Sequence, residues 1–349
     1  MWRIIPLLKI VGMVLFVLLF VVAALFVYFN LEGPAPREDV DLGVTFSTRY
    51  AESLGLDWKE AYIAMLDDLH VRKIRIPVYW DLVEENRGSY DYSAVDWQLD
   101  EASKRGAEVI LSVGQRVPRW PECHIPGWVK DNGSDDYREA ELLGFLERTV
   151  NRYADHPEIV TWQVENEPFL VFFGECPAFR RGFLDEEVAL VHKTDPSRPV
   201  MLTDSGELSI WYPAASRADI FGTTMYRKIH KPGFGYFTYP LGPNFFRFKE
   251  NIVRLLTGKD RFVVIELQAE PWASGWVADV PIREQFQTMN PDLLRQNVEY
   301  AKRVGFPEVY LWGVEWWYWL REKQGMPETW DTARELFQKR QKDDTMVGK

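Results

Sequence analysis

The sequence predicts an α/β fold: a single (β/α)8 TIM barrel preceded by an N-terminal transmembrane helix. Three observations predict it. From residue 41 onward eight short apolar runs recur, each continuous rather than alternating, which is the pattern of strands buried on both faces. Segments with apolar residues at helical spacing separate these runs. Ahead of them, residues 10–29 form a stretch of twenty without a single charge.

At 1.5 Å per residue, twenty helical residues cover roughly 30 Å, the thickness of a bilayer's hydrocarbon core. Arg3 and Lys9 precede the stretch, while Glu32, Glu38, Asp39 and Asp41 follow it with only Arg37 opposing. That asymmetry predicts a cytoplasmic segment at 1–9, a single membrane pass at 10–29, and an extracytoplasmic location for everything after it. A secretory signal cut after Ala24 is the competing reading. Leu25 to Phe29 continue the apolar run past that point, which favours an uncleaved signal anchor. Residues 30–40, with Gly33, Pro34 and Pro36, read as a linker.

The eight strands are expected at 42–46, 74–78, 109–113, 159–164, 200–203, 220–225, 262–267 and 309–314. Between them Trp58, Ala61, Tyr62, Met65, Leu66 and Leu69 keep helical spacing, as do Leu142, Leu143, Leu146 and Val150. Ser93 is placed to cap a helix that ends near Gly106. Leu293, Leu294, Val298 and Ala301 mark another helix, and Ala333, Leu336 and Phe337 the last. The barrel domain is assigned to 41–343 and a frayed polar tail to 344–349. An open doubly wound sheet shares this alternation, but the Gly-rich phosphate turn it usually carries is missing from the sequence.

Composition narrows the function classes. A formal charge of -11 argues against nucleic acid as a partner, since phosphate binding needs clustered Lys and Arg. The five His include no H-E-x-x-H and no pair at ligand spacing, so no metal is expected. With no nucleophile elbow, Walker loop or dinucleotide fingerprint, no cofactor is expected either. Fifteen tryptophans exceed the needs of a core and suggest an aromatic-lined ligand surface.

In a (β/α)8 barrel chemistry sits at the C-terminal ends of the strands. The fourth run ends T-W-Q-V-E-N-E-P over 161–168, and the seventh ends V-V-I-E-L-Q-A-E-P-W over 263–272. Both pass from apolar residues straight into carboxylates, on strands that face each other across the mouth. Glycoside hydrolysis needs such a pair, a carboxylic acid to protonate the leaving oxygen and a carboxylate to attack the anomeric carbon.

Asn166-Glu167-Pro168 closing the fourth strand, with a Glu at the end of the seventh, resembles the clan of retaining (β/α)8 glycoside hydrolases. That clan holds the family 5 cellulases and mannanases and the family 42 β-galactosidases, and the likeness runs from Gly43 to Trp312. The resemblance implies that Glu167 is the acid/base and Glu266 the nucleophile, with carboxyls roughly 5–5.5 Å apart and retention at the anomeric centre. It implies that Asn166 holds the sugar 2-hydroxyl, that Arg75 braces the nucleophile and that Tyr226 hydrogen-bonds it. Trp312 or Trp316, in L-W-G-V-E-W-W-Y-W, would lie beneath the reacting sugar. Electrostatics agrees: a cation and a phenol beside Glu266 favour its charged form, while Glu167, facing that charge without a cation, is pushed towards protonation. Each strand end carries a second carboxylate, Glu165 and Glu270; Glu266 is preferred because it follows its strand directly.

Trp80, Trp120, Trp128 and Trp272 follow strands two, three and seven on the same face, where indoles can stack on sugar C–H faces or simply pack loops. Glu315 is placed as a sugar hydrogen-bond acceptor, and His124 as a loop hydrogen-bonder. Cys123 and Cys176 fall in the loops after strands three and four, neighbours on one face, which predicts a disulfide in an oxidising compartment. The chain therefore reads as a membrane-anchored extracytoplasmic retaining O-glycosidase of oligo- or polysaccharides, working by double displacement with a carbohydrate as its partner. The alternatives are an envelope or wall transglycosylase and a non-catalytic carbohydrate-binding barrel.

Overall fold

Eight parallel strands close a barrel in the computed structural model, which describes residues 4–178 and 180–347, with side chains described for 9–178 and 180–338. Arg3 of the N-terminal segment and residues 348–349 of the tail lie outside the described residues. The wall is built from β1 (Asp41–Thr45), β2 (Lys73–Pro77), β3 (Glu108–Val113), β4 (Ile159–Val164), β5 (Val200–Asp204) and β6 (Ile220–Met225). Strands β7 (Lys228–Lys231) and β8 (Gly235–Thr238) form a separate antiparallel hairpin, and β9 (Phe262–Gln268) and β10 (Glu308–Trp312) complete the wall. The closed order is β1-β10-β9-β6-β5-β4-β3-β2, with every barrel pair parallel.

Each apolar run is a barrel strand, as the sequence predicts. The eighth is shorter than expected, because Gly313 at φ 137° turns the chain into the helix Val314–Gln324 directly after Trp312. The β7–β8 hairpin has no strong sequence signal, being two four-residue strands. Ser93 is the first helical residue rather than the cap, and Asp91 Oδ1 accepts its backbone N–H at 2.8 Å. The last helix, Glu328–Val347, carries regular backbone through most of the segment read as frayed.

The barrel interior is plugged by Ile110, Met201, Ile220, Val263, Ile265 and Tyr310, a cluster distinct from the larger core between wall and helices. One irregularity sets what lies beside this plug. Thr223 pairs with Val264, yet Thr224 pairs with Glu266, and β10 shows the same slip, with Val309 opposite Val264 and Leu311 opposite Leu267. This bulge lets two chain neighbours turn inward together: Ile265 enters the plug and Glu266 meets Arg75 and Tyr226.

Candidate active site

A cavity of about 670 Å³ opens at the C-terminal ends of the strands. Carboxylates of Glu122, Glu167, Glu207, Glu266 and Glu270 reach it, and Trp120, Trp272, Trp276 and Trp312 stand among its walls.

Glu266 is held from two sides. Arg75 Nη1 donates to its Oε1 at 2.7 Å and the Tyr226 hydroxyl to its Oε2 at 3.0 Å. Arg75 is wholly buried and completes its fork with Gln163 Oε1 at 2.7 Å and Asn166 Oδ1 at 2.6 Å, so one guanidinium ties β2, β4 and β9 together. Burial, then the charges of Glu266 and Glu167, push the Tyr226 hydroxyl well above the ordinary phenol range. Its proton therefore stays on the ring oxygen, and Glu266 is the acceptor.

Glu167 is held differently. Its Oε1 accepts from Thr224 Oγ1 at 3.1 Å, and its backbone N–H donates to Thr203 Oγ1 at 2.8 Å; among the described residues no cation bonds its carboxyl. Burial first, and then the charges of Glu266, Glu122 and Asp204, raise it well above the usual carboxylate range. Glu165 and Glu167 have φ of 55° and 42°, a left-handed backbone that costs an L residue on the order of 1 kcal/mol each. The strained turn sends the two side chains to different places. Glu165 leaves the cavity and accepts the backbone N–H groups of Gln115 at 2.9 Å and Arg116 at 2.8 Å. It occupies space left by Gly114, where an added Cβ would lie 2.4 Å from Glu165 Oε1.

Glu270 belongs to a third group. Arg119 is sandwiched between the rings of Tyr50 at 3.8 Å and Trp312 at 4.1 Å and pairs with Glu270 and with Glu315. Trp312 Nε1 also donates to Glu270 Oε1 at 2.8 Å. Glu270 is thus tied to a wall, while Glu266 sits directly on Arg75.

Arg75, Glu167, Tyr226 and Glu266 come together as the sequence predicts, and Trp120, Trp272 and Trp312 line the cavity. Asn166 lies outside the lining: its Oδ1 accepts from Arg75 and Thr203, and its Nδ2 donates to Glu122 Oε2 at 3.0 Å. Its reach into the cavity passes through Glu122. Trp316 is not a site residue. The helix after Gly313 carries it into the core, where its indole N–H donates to Gln285 Oε1 at 2.7 Å. Glu315 is fully buried on Arg119 and the Ser47 N–H, so it cannot accept from a sugar. Trp80 is core, and Trp128 donates to the Glu84 carbonyl away from the cavity. His124 is a loop hydrogen-bonder, with Nε2 3.0 Å from the Arg119 carbonyl.

Sequence reasoning missed Glu122, Arg119, Glu207 and Tyr50. Glu122 lies between Trp120 and Cys123, both singled out from the sequence, and burial pushes its carboxyl up to about 7. Burial does the same to Glu207, also to about 7. The Cys123–Cys176 disulfide is formed, with Cα atoms 5.2 Å apart.

A barrel that brings a cation-braced carboxylate and a carboxyl raised by burial into one cavity has the equipment that retaining glycoside hydrolysis needs. The sequence profile of the cellulase family (glycosyl hydrolase family 5) matches residues 43–217, half of the chain, and the chain belongs to that family. It is 28% identical over 129 residues to the β-galactosidase Bga of Halorubrum lacusprofundi, a match covering 32% of this chain and 18% of that one. The solved β-galactosidase from the same haloarchaeon aligns with TM-score 0.59 and 17% identity, over 86% of this chain and 58% of that one. The β-galactosidase of the psychrophilic Marinomonas ef1 gives TM-score 0.59 and 14% identity, over 88% and 60%. The AHE enzyme of Alicyclobacillus herbarius gives TM-score 0.52 and 13% identity, over 80% and 89%. The chain thus spans less than two thirds of the β-galactosidases it matches.

Proposed function

We propose that this protein is a membrane-anchored, extracytoplasmic β-glycosidase of oligo- or polysaccharides that works by double displacement, with Glu266 as nucleophile and Glu167 as acid/base. The observation that carries the reading is the unequal treatment of two carboxyls in one cavity, Glu266 on Arg75 and Tyr226 and Glu167 without a cation. A Glu266 oxygen attacks the anomeric carbon while the Glu167 carboxyl gives its proton to the leaving oxygen. A glycosyl ester on Glu266 and a free alcohol result. Glu167, now a carboxylate, takes a proton from water; the water oxygen attacks the same carbon and Glu266 departs, giving overall retention. The helix Lys9–Asn30, long and apolar enough to cross a membrane, supports the anchor, and the disulfide fits an oxidising compartment. The names of the relatives make β-galactosides the first sugars to try.

Full-length protein treated with 2,4-dinitrophenyl 2-deoxy-2-fluoro-β-galactoside and its gluco epimer should gain one fluoroglycosyl group on the peptide containing Glu266. Labelling at Glu270 would refute the assignment of the nucleophile, and absence of any adduct together with absence of turnover would refute the hydrolase.

A further inference from the structure

We infer that the substrate is an amphiphilic glycoside whose sugar enters the cavity while its apolar aglycone stays in the bilayer crossed by the N-terminal helix, the barrel mouth lying against that bilayer. The inference rests on the anchored-glycosidase reading above and adds a substrate class to it.

The barrel has no slack on its anchor. Phe29 packs edge-on against Phe245 at 5.3 Å and tilted against Phe248 at 5.4 Å, and Asn244 Nδ2 donates to the Tyr28 carbonyl at 3.1 Å. Asn30 Nδ2 reaches the Pro240 carbonyl at 3.1 Å. The approach is close enough that a Cβ on Gly242 would fall 2.2 Å from the Phe29 carbonyl oxygen. The segment read as a linker is also docked, with the Arg37 N–H on the Lys302 carbonyl at 3.0 Å. The domain is held at the end of the membrane span.

Exposed apolar surface is distributed to match. Among the described residues beyond the N-terminal helix and Leu31, the most exposed large apolar side chains fall in two places. One is the set of loops that follow the barrel strands, with Phe172 at 72%, Ile210 at 74% and Phe234 at 80% exposed. The other is the last turns of the helix Pro243–Thr257, where Leu255 is exposed at the far end from the turns that abut the anchor and from the mouth. Apolar patches this concentrated mark an interaction surface. Sugars stack on aromatic rings, but Val171, Leu208 and Ile210 offer no ring, so their exposure suits an alkyl phase. Trp120, Phe172, Leu208 and Trp276 belong both to this apolar rim and to the cavity lining, so the rim runs unbroken down to the carboxylates. Charge agrees as well. Residues 227–261, the hairpin and the anchor-adjacent helix, hold eight Lys and Arg against two Asp and Glu in a chain of net charge -11. Lys249 is spent inside on the Gly206 and Ser209 carbonyls and Arg254 on Glu250; the Lys and Arg that remain favour an anionic membrane surface.

The test uses the full chain in phosphatidylcholine vesicles containing phosphatidylglycerol and a few mole per cent of monogalactosyl- and monoglucosyl-diacylglycerol. The water-soluble 4-nitrophenyl β-galactoside and β-glucoside are assayed on the same vesicles. The expected result is a kcat/KM for a glycolipid about tenfold or more above that of the matching nitrophenyl glycoside. The triple variant Val171→Ser, Ile210→Ser, Phe234→Ser should lose about tenfold on the glycolipid and keep nitrophenyl turnover within about twofold, which also shows that it folds. Turnover of nitrophenyl glycosides with no preference for the glycolipid, or a triple variant that cleaves the glycolipid unimpaired, overturns the inference and leaves the hydrolase standing. A rim built for a protein partner would give that same unimpaired result. Failure on both substrate types, with no fluoroglycosyl adduct on Glu266, overturns the hydrolase reading itself.

Discussion

The ends of β4 and β9 look alike in sequence and are opposites in structure. Each strand runs out into two glutamates, Glu165 and Glu167 on one, Glu266 and Glu270 on the other. On β4 two left-handed residues rotate Glu165 into the wall and leave Glu167 in the cavity with only a threonine hydroxyl on its carboxyl. On β9 both carboxylates have cations, Glu266 through Arg75 and Glu270 through Arg119. On the proposed assignment, the difference is how one fold makes an acid and a nucleophile from the same side chain: a guanidinium beside one, and burial beside a like charge for the other.

The largest effect should come from deleting either carboxyl. Glu266→Ala and Glu167→Ala should each lose roughly 10⁴-fold in turnover, measured on nitrophenyl glycosides. Azide should rescue both with opposite products, an α-glycosyl azide from the first and a β-glycosyl azide from the second, told apart by NMR. A dead Glu270→Gln beside an active Glu266→Gln would exchange the roles at the β9 end and break the comparison. The two ends also differ in bracing, since both cysteines of the chain are used to tie the β3 and β4 loops and the loop after β9 has none. Closing a loop of this length is worth about 4 kcal/mol in the chain-entropy model. Cys123→Ser with Cys176→Ser should therefore lower the melting temperature by several degrees, and reduction of the native protein should raise KM before the barrel unfolds.

Smaller effects sharpen the contrast. Tyr226→Phe removes one donor to a charged oxygen and should lower kcat about tenfold to a hundredfold, with KM nearly unchanged. Because Glu167 is raised above the ordinary carboxylate range, kcat/KM should hold at mildly acidic pH. It should fall on the alkaline side as that proton leaves, a limb that Glu167→Gln abolishes. The least change is expected behind β4, where Glu165 and Glu187 share a hydrogen bond and both are raised by burial. A carboxyl raised on folding binds its proton more tightly in the native state. The stability it contributes is complete below the ordinary carboxylate value and is lost as pH rises through the raised one. Glu187→Gln, whose amide donates as the protonated acid does, should flatten that decline and gain about 1 kcal/mol at neutral pH, read as the melting temperature against pH.

Much of the architecture is legible because its causes are local. A strand covered on both faces must be apolar throughout, so eight buried strands announce themselves as eight runs. Arg75 and Tyr226 are legible through the family resemblance, because each holds a position at a strand that the clan fills with a group beside the nucleophile. Glu122 and Arg119 are not, since they sit in a loop whose path depends on a disulfide and on rings from other parts of the chain. The two tryptophans of L-W-G-V-E-W show the same limit. Trp312 reaches the cavity and Trp316 the core, because Gly313 converts strand to helix between them.

The sequence by itself determined the barrel, the apolar N-terminal helix, the pairing of Cys123 with Cys176 and the two strand ends where carboxylates gather. All of these follow from hydrophobic period, from charge and from the fixed order of a (β/α)8 chain. Only the tertiary structure decided which way each glutamate faces. A bulge that no alternation rule encodes turns Glu266 inward directly after Ile265, and a left-handed turn parts Glu165 from Glu167. The physical reason is that side-chain direction at a strand end is set by register with neighbouring strands, and register is a property of the closed sheet rather than of any one segment.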